Sequence, residues 1–187
     1  MNPSRNPSAL RSKKIITETL FDLMKQYPFD EITVKRILLE TKISRKTFYR
    51  NFTSKDDVLG SYIDEILMDY KKALVQMGNI SMLDTFDVIF KFCEDYRELL
   101  IMLRNNHLMH IPLMKLNAFL PSFYDDLGQR IYIIYFNIGA VWNVITQWLE
   151  NDMTDSSETM KQLLIDYLSD INEVNFCQNL KQSQLIP

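Results

Sequence analysis

The apolar positions of this chain recur at three- and four-residue steps, the signature of helices with one buried face. In residues 10–27, Ile16, Leu20, Leu23, Met24 and Tyr27 stack on one side and predict a helix. Pro28 ends it, because the residue before a proline is pushed out of the helical region. Thr33 reads as an N-cap, with Ile32 and Ile37 placed as a hydrophobic staple, and Val34, Ile37, Leu38 and Thr41 carry a second helix. After a short turn at Lys42 and Ile43, Ser44 caps a third helix, Arg45 to about Phe52, with Phe48 and Phe52 facing inward. Ser54 opens a fourth, with Asp57 as an acidic version of the capping box. That helix is predicted from Lys55 to about Met77, with a stripe of Tyr62, Ile66, Tyr70 and Leu74, and Gly78-Asn79 ends it.

Beyond this point Ser81 is a cap, with Asp84 at the third position, and Leu83, Phe86, Phe90, Cys93, Leu100 and Leu103 predict one long buried face as far as Arg104. Asn105-Asn106 breaks it, and Pro112 and Pro121 divide residues 107–128 into short helical pieces, with Asp125-Asp126 just ahead of Gly128. Residues 131–149 carry no charge at all. Nineteen residues could span a bilayer. Asn137, Asn143, Thr146 and Gln147 would each be costly in lipid, however, so no membrane segment is expected. The reading preferred is a helix buried on all sides, which needs a large core or a partner subunit. Thr154 to about Glu173 is the last helix, with Met160, Leu163, Leu164, Tyr167, Leu168 and Ile171 on its apolar face, and the polar tail from Asn175 frays.

The pattern is therefore all-α, and composition agrees: 4 Gly and 6 Pro in 187 residues leave little turn chemistry for hairpins. A hydrophobic content of 47% with 24% charge is that of a globular chain. Cys93 and Cys177 are too few for a disulfide framework and read as reduced thiols, and the basic residues near the N-terminus follow no apolar stretch. The expected location is the cytoplasm, without a signal peptide.

Charge changes the picture. The chain as a whole is acidic, at −3. Residues 1–58 nevertheless hold 12 Lys and Arg against 7 Asp and Glu, while residues 59–187 hold 9 against 17. A basic head on an acidic body can bind phosphate locally. Within the head, residues 43–55 concentrate the chemistry: two short helices joined by a tight turn, the second exposing Arg, Lys, Thr and Tyr, fit a helix-turn-helix. Arg45 and Lys46 can donate to guanine edges, and the methyl of Thr47 can meet a thymine methyl. Tyr49, Lys55 and the hydroxyl of Thr33 suit phosphate oxygens, with Ser44 and Arg50 alongside. The same pattern also fits a solvated basic helix packed on its neighbours.

The runs Thr33-Val34-Lys35-Arg36-Ile37, Ile43-Ser44-Arg45-Lys46-Thr47-Phe48-Tyr49-Arg50-Asn51-Phe52 and Ser54-Lys55-Asp56-Asp57-Val58-Leu59 closely resemble the N-terminal domain of TetR/AcrR-family transcriptional regulators. The match covers roughly residues 10–60. The resemblance implies a three-helix helix-turn-helix domain at 8–58 followed by a larger helical regulatory and dimerisation domain at 59–176. It puts Lys35, Thr47, Tyr49, Lys55 and the capping Thr33 at DNA-contacting positions, and Arg45 and Lys46 at variable positions that set sequence preference. It implies a homodimer on a palindromic double-stranded operator, pairing through helices near 131–151 and 156–173. It further implies a regulator whose DNA affinity answers to a small-molecule effector in the body, where ligand would favour a spacing of the two heads that no longer fits successive major grooves; a repressor is the first expectation, with the sign open because the same coupling permits activation. Phe86, Phe90, Met102, Met109, Phe119, Phe123, Tyr135 and Trp142 are material for such a pocket, although no ligand-binding residue is named. The family often has glycine where this chain has Lys42, and a left-handed residue there would cost a non-glycine about 1 kcal/mol or more.

Other chemistry has little footing. His107 and His110 could share a helix face and, with Cys93 or a carboxylate, hold zinc, but no CxxC or HExxH spacing supports it. There is no GxSxG and no glycine-rich phosphate loop, so no catalytic residue, metal or cofactor is expected. The alternative to a DNA-binding regulator is a helical interaction module or a co-regulator or activator with weak or no DNA binding of its own. An all-helical enzyme ranks third.

Overall fold

Helix caps and the spacing of apolar residues account for most of the element boundaries. The computed structural model describes residues 7–77, 82–123 and 128–170. Its α-helices are α1 (Pro7–Met24), α2 (Val34–Thr41), α3 (Arg45–Asn51), α4 (Lys55–Met77), α5 (Met82–Asp95), α6 (Arg97–Asn105), α7 (His110–Phe119), α8 (Arg130–Glu150) and α9 (Ser157–Asp170). Short 3-10 turns lie at Phe29–Glu31 and Leu120–Phe123, and no strand occurs among the described residues. None of the described helices is long and apolar enough to cross a membrane. The predicted stop at Gly78-Asn79, the Ser81 cap, Asp125-Asp126 and everything beyond Asp170 fall outside the described residues.

The predicted caps form. Thr33 Oγ1 accepts from the Arg36 N–H at 3.2 Å, and Ser44 Oγ accepts from the Thr47 N–H at 3.1 Å. At the start of α4, Ser54 Oγ accepts from the Asp57 N–H at 3.0 Å. The Asp57 carboxylate reaches one residue past the cap and accepts from the Thr53 N–H at 2.7 Å, a shifted form of the reciprocal bond.

Four expected helix boundaries and breaks are corrected. The first helix stops at Met24, not Tyr27. Gln26 and Tyr27 both donate to the Leu23 carbonyl, which winds the chain off the helix before Pro28 and carries Phe29 into the core, 3% exposed. The long face ending at Arg104 is two helices, broken at Tyr96, whose φ of −105° and ψ of 20° leave the helical region. Pro112 divides nothing, since it sits in the first turn of α7, where a backbone N–H has no helical partner to lose. Finally, α9 begins at Ser157, because the left-handed residues Asp152 and Met153 reverse the chain and Ser156 Oγ, accepting from the Thr159 N–H, supplies the cap.

Two hydrophobic cores result. The first joins α1 to α4 and continues into the body through Leu103, Leu108 and Ile111. The second gathers Phe86, Phe90 and Cys93 of α5, Leu100 of α6, Trp148 and Leu149 of α8 and Met160 of α9. Its centre is Phe90, fully buried with its ring edge-on to Trp148 at 5.7 Å. Helix α6 contributes to both cores. Helix α8 is not buried all round: Ile138, Ile145, Trp148 and Leu149 face inward, while Tyr132 (75%), Ile133 and Phe136 (73%) stand exposed. Leu163 and Tyr167 of α9 are exposed as well. A single chain covers only one side of α8.

Candidate nucleic-acid interface

The turn between α2 and α3 fixes the site. Lys42 ends α2 in the left-handed conformation, with φ 56° and ψ 20°. The Ile43 N–H then donates to Thr41 Oγ1 at 3.2 Å, and Ser44 starts α3. Phe48, fully buried, and Phe52 hold α3 on the head core, their rings 6.1 Å apart. With the helix fixed on that side, Arg45, Lys46, Tyr49 and Arg50 are all exposed and Thr47 is half-buried. At about 100° per residue, Lys46 and Arg50 lie opposite Phe48, with Tyr49 and Thr47 on the two flanks. Lys46, Thr47, Tyr49 and Arg50 thus share the side of α3 away from Phe48, Arg45 stands exposed in the first turn nearer the Phe48 side, and Thr33 and Lys35 are exposed at the start of α2.

Among the described residues, Lys35, Lys46 and Arg50 take part in no hydrogen bond or ion pair, and Arg45 only rests over the Tyr49 ring at 5.5 Å. Their charge is not neutralised by any described residue. The hydroxyls are used differently. Thr33 spends an acceptor lone pair on its cap and keeps its O–H as a donor. Ser44 Oγ and Thr47 Oγ1 share one hydrogen bond at 2.9 Å, so Ser44 serves the helix start and steadies Thr47.

Lys55 is the candidate whose surroundings differ most from expectation. Its ammonium donates to the Phe29 carbonyl and lies 4.3 Å from the centre of the Phe29 ring. One of its three donors is thereby engaged, and two remain. The Phe29 peptide is held on its other side too: its N–H donates to Asn106 Oδ1, the cap residue after α6, at 2.8 Å. Sequence spacing gave no sign of this link, which spans 77 positions. Helix α6 is also tied to α8: Arg104 donates to the Leu149 carbonyl and to Asp152 Oδ1, and Arg97 to the Asp152 carbonyl. Guanidinium groups suit the carbonyl-rich end of a helix.

In the body, α4 to α8 line a partly open cavity of about 680 Å³, with exposed Val75 among its walls. Of the aromatic and Met candidates, Phe86 and Trp142 line it. Phe90 fills the second core, Met102 and Phe119 pack on the first, Met109 packs on both, and Tyr135 is exposed with its hydroxyl donating to the Asn117 carbonyl. The Phe123 side chain lies outside what is described. The other walls are mostly aliphatic, among them Ile66 and Leu74 of the α4 stripe, joined by the aromatics Tyr70, Phe92 and Tyr96. The signal was that stripe itself, which continues past the head with no predicted partner. His107 and His110 are exposed at the turn between α6 and α7, and among the described residues no three His, Cys, Asp or Glu side chains gather as a metal site.

Residues 16–62 match the model for bacterial regulatory proteins of the tetR family. Among solved structures the chain is similar to the dihydroxyacetone kinase operon activator DhaS, with a TM-score of 0.54 and 18% identity over 86% of this chain and 96% of that one. At that identity the likeness speaks for the fold. No curated protein matches the chain.

Proposed function

The chain carries, at residues 16–62, the N-terminal DNA-binding domain of the TetR family of bacterial regulators, and from that premise we propose that it is a dimeric transcriptional repressor whose hold on its operator is set by a ligand in the body. The observation that carries the DNA-reading surface is a set of exposed, unneutralised cations on the helix-turn-helix: Lys35 at the start of α2 and Lys46 and Arg50 on α3, without partners among the described residues, with Arg45 over the Tyr49 ring. Helix α3 enters the major groove. Arg45 and Lys46 read guanine edges, and Thr47, steadied by Ser44, offers its methyl to thymine. Thr33, Lys35, Tyr49, Arg50 and Lys55 hold phosphates and fix the register.

One head reads one half-site, so a palindrome needs two chains. The exposed apolar residues of α8 and α9 favour pairing of these helices with their copies across a two-fold axis. Repression is the sign proposed, because a dimer seated on its operator excludes other proteins from the same DNA. The structural neighbour DhaS is named an activator, so a reporter fused to the operator, assayed with and without this gene product, decides the sign.

Coupling between the sites runs through α6. Leu99, Leu100 and Leu103 line the cavity, Arg97 and Arg104 grip the end of α8, and Asn106 holds Phe29 of the head. A ligand that favours one position of α6 therefore favours one spacing of the two heads. Selection of binding sites from random DNA tests the reading. A palindromic consensus is expected, with Arg45→Ala relaxing preference at one base per half-site at a cost of about 1–3 kcal/mol. A pool that shows no enrichment favours the interaction-module alternative.

A further inference from the structure

The cavity in the body has walls specific enough to name the chemistry of its occupant. Its volume of about 680 Å³ is that of a small-molecule site rather than a packing defect. None of the described residues lining it is Lys, Arg, His, Asp or Glu. The ionisable groups that do line it are neutral: burial pushes the Cys93 thiol up to about 12 and raises the hydroxyls of Tyr70 and Tyr96. An ion entering would lose part of its hydration and find no counter-charge among the described lining residues.

Four polar side chains among the described walls, those of Asn137, Tyr70, Tyr96 and Trp142, make no hydrogen bond to a described residue, and Asn137 and Tyr70 face each other's helices across the space as an amide and a hydroxyl on α8 and α4. Asn137, half-buried midway along α8, makes no side-chain hydrogen bond among the described residues, and neither does the hydroxyl of Tyr70, a residue only 6% exposed. No fully buried side-chain N or O among the described residues lacks a partner, so the unpartnered atoms of Asn137 and Tyr70 keep accessible surface, and both residues line the cavity. Asn137 offers both a donor and an acceptor, and Tyr70, on α4, offers a donor.

We propose that this cavity binds an uncharged, mainly apolar small molecule that sets one hydrogen-bonding group against Asn137, with Tyr70 as the second polar contact. The proposal deepens the effector reading above and rests on it for the consequence of binding, but not for binding itself.

A matched pair of probes tests it. N-phenyl-1-naphthylamine is neutral and has one N–H, whereas 1-anilinonaphthalene-8-sulfonate adds a sulfonate to the same ring system. Titrated fluorescence on the full-length protein is expected to show the neutral probe bound at least tenfold tighter. Asn137→Leu keeps the volume and removes the amide, and is expected to weaken the neutral probe about tenfold. Val141→Trp, which fills the cavity, is expected to abolish its binding, with circular dichroism and the melting temperature reporting whether each variant folds. Equal or tighter binding of the sulfonate, no binding of either probe, or an Asn137→Leu variant that is folded and binds unchanged would each overturn the proposal. Neutral-probe binding that leaves DNA affinity untouched supports the cavity chemistry and contradicts only its regulatory consequence.

Discussion

Lys42 holds φ 56° with a β-carbon, where glycine would sit without penalty. Lys42→Gly is expected to be neutral or stabilising by up to about 1 kcal/mol, since relief of strain is offset by the extra freedom glycine has in the unfolded chain. A thermal melt showing clear destabilisation would contradict this. Ser44→Ala should cost about 1 kcal/mol through the lost cap and also loosen Thr47. Such local devices were legible because a cap and its partner lie three residues apart. The bond from Lys55 to the Phe29 carbonyl was not, because it depends on how α4 meets the segment before α2. Cys93 gives a pH dependence. Its thiol is raised from 9.0 to about 12 by burial, so the folded state holds the proton more tightly than the unfolded one. That stabilisation is complete below about pH 9 and is lost as pH rises toward 12. Denaturation titrations should show a steeper alkaline fall in stability for the parent than for Cys93→Ala.

At the scale of elements, the pattern located α4 and α8 closely but could not tell which side of α8 a single chain covers. Hydrophobicity is present on every side of it, and only packing separates Trp148 and Leu149, which face inward, from Tyr132 and Phe136, which do not. The break between α5 and α6 was illegible for another reason. No Gly or Pro marks Tyr96; α5 serves the second core through Phe90, whereas α6 serves both, Leu100 the second and Leu103 the first. Phe136→Asp changes a side chain 73% exposed, so the fold should survive it. Light scattering at micromolar protein is expected to find the parent a dimer and this variant a monomer. A parent of monomer mass would remove the basis of the pairing.

Taken as a whole molecule, the chain sets a basic, DNA-reading head on an acidic body, and the same charge division was readable in the sequence. What could not be read is the joint between them, since Asn106 and Phe29 are brought together only by the packing of α6 under the head. Asn106→Ala leaves the Phe29 N–H without its acceptor, at a cost of about 1–3 kcal/mol in stability. The variant should still bind DNA, while the factor by which the cavity probe alters DNA affinity falls toward one. An unchanged factor would place the coupling elsewhere. The most direct test of the central claim is fluorescence anisotropy of the protein on the selected operator and on scrambled DNA, across a range of salt concentrations. The expected result is two chains per operator, with log affinity falling linearly with log salt and a slope shallower by about 1 per chain for Lys35→Ala. Equal affinity for scrambled DNA, or binding that ignores salt, would contradict it.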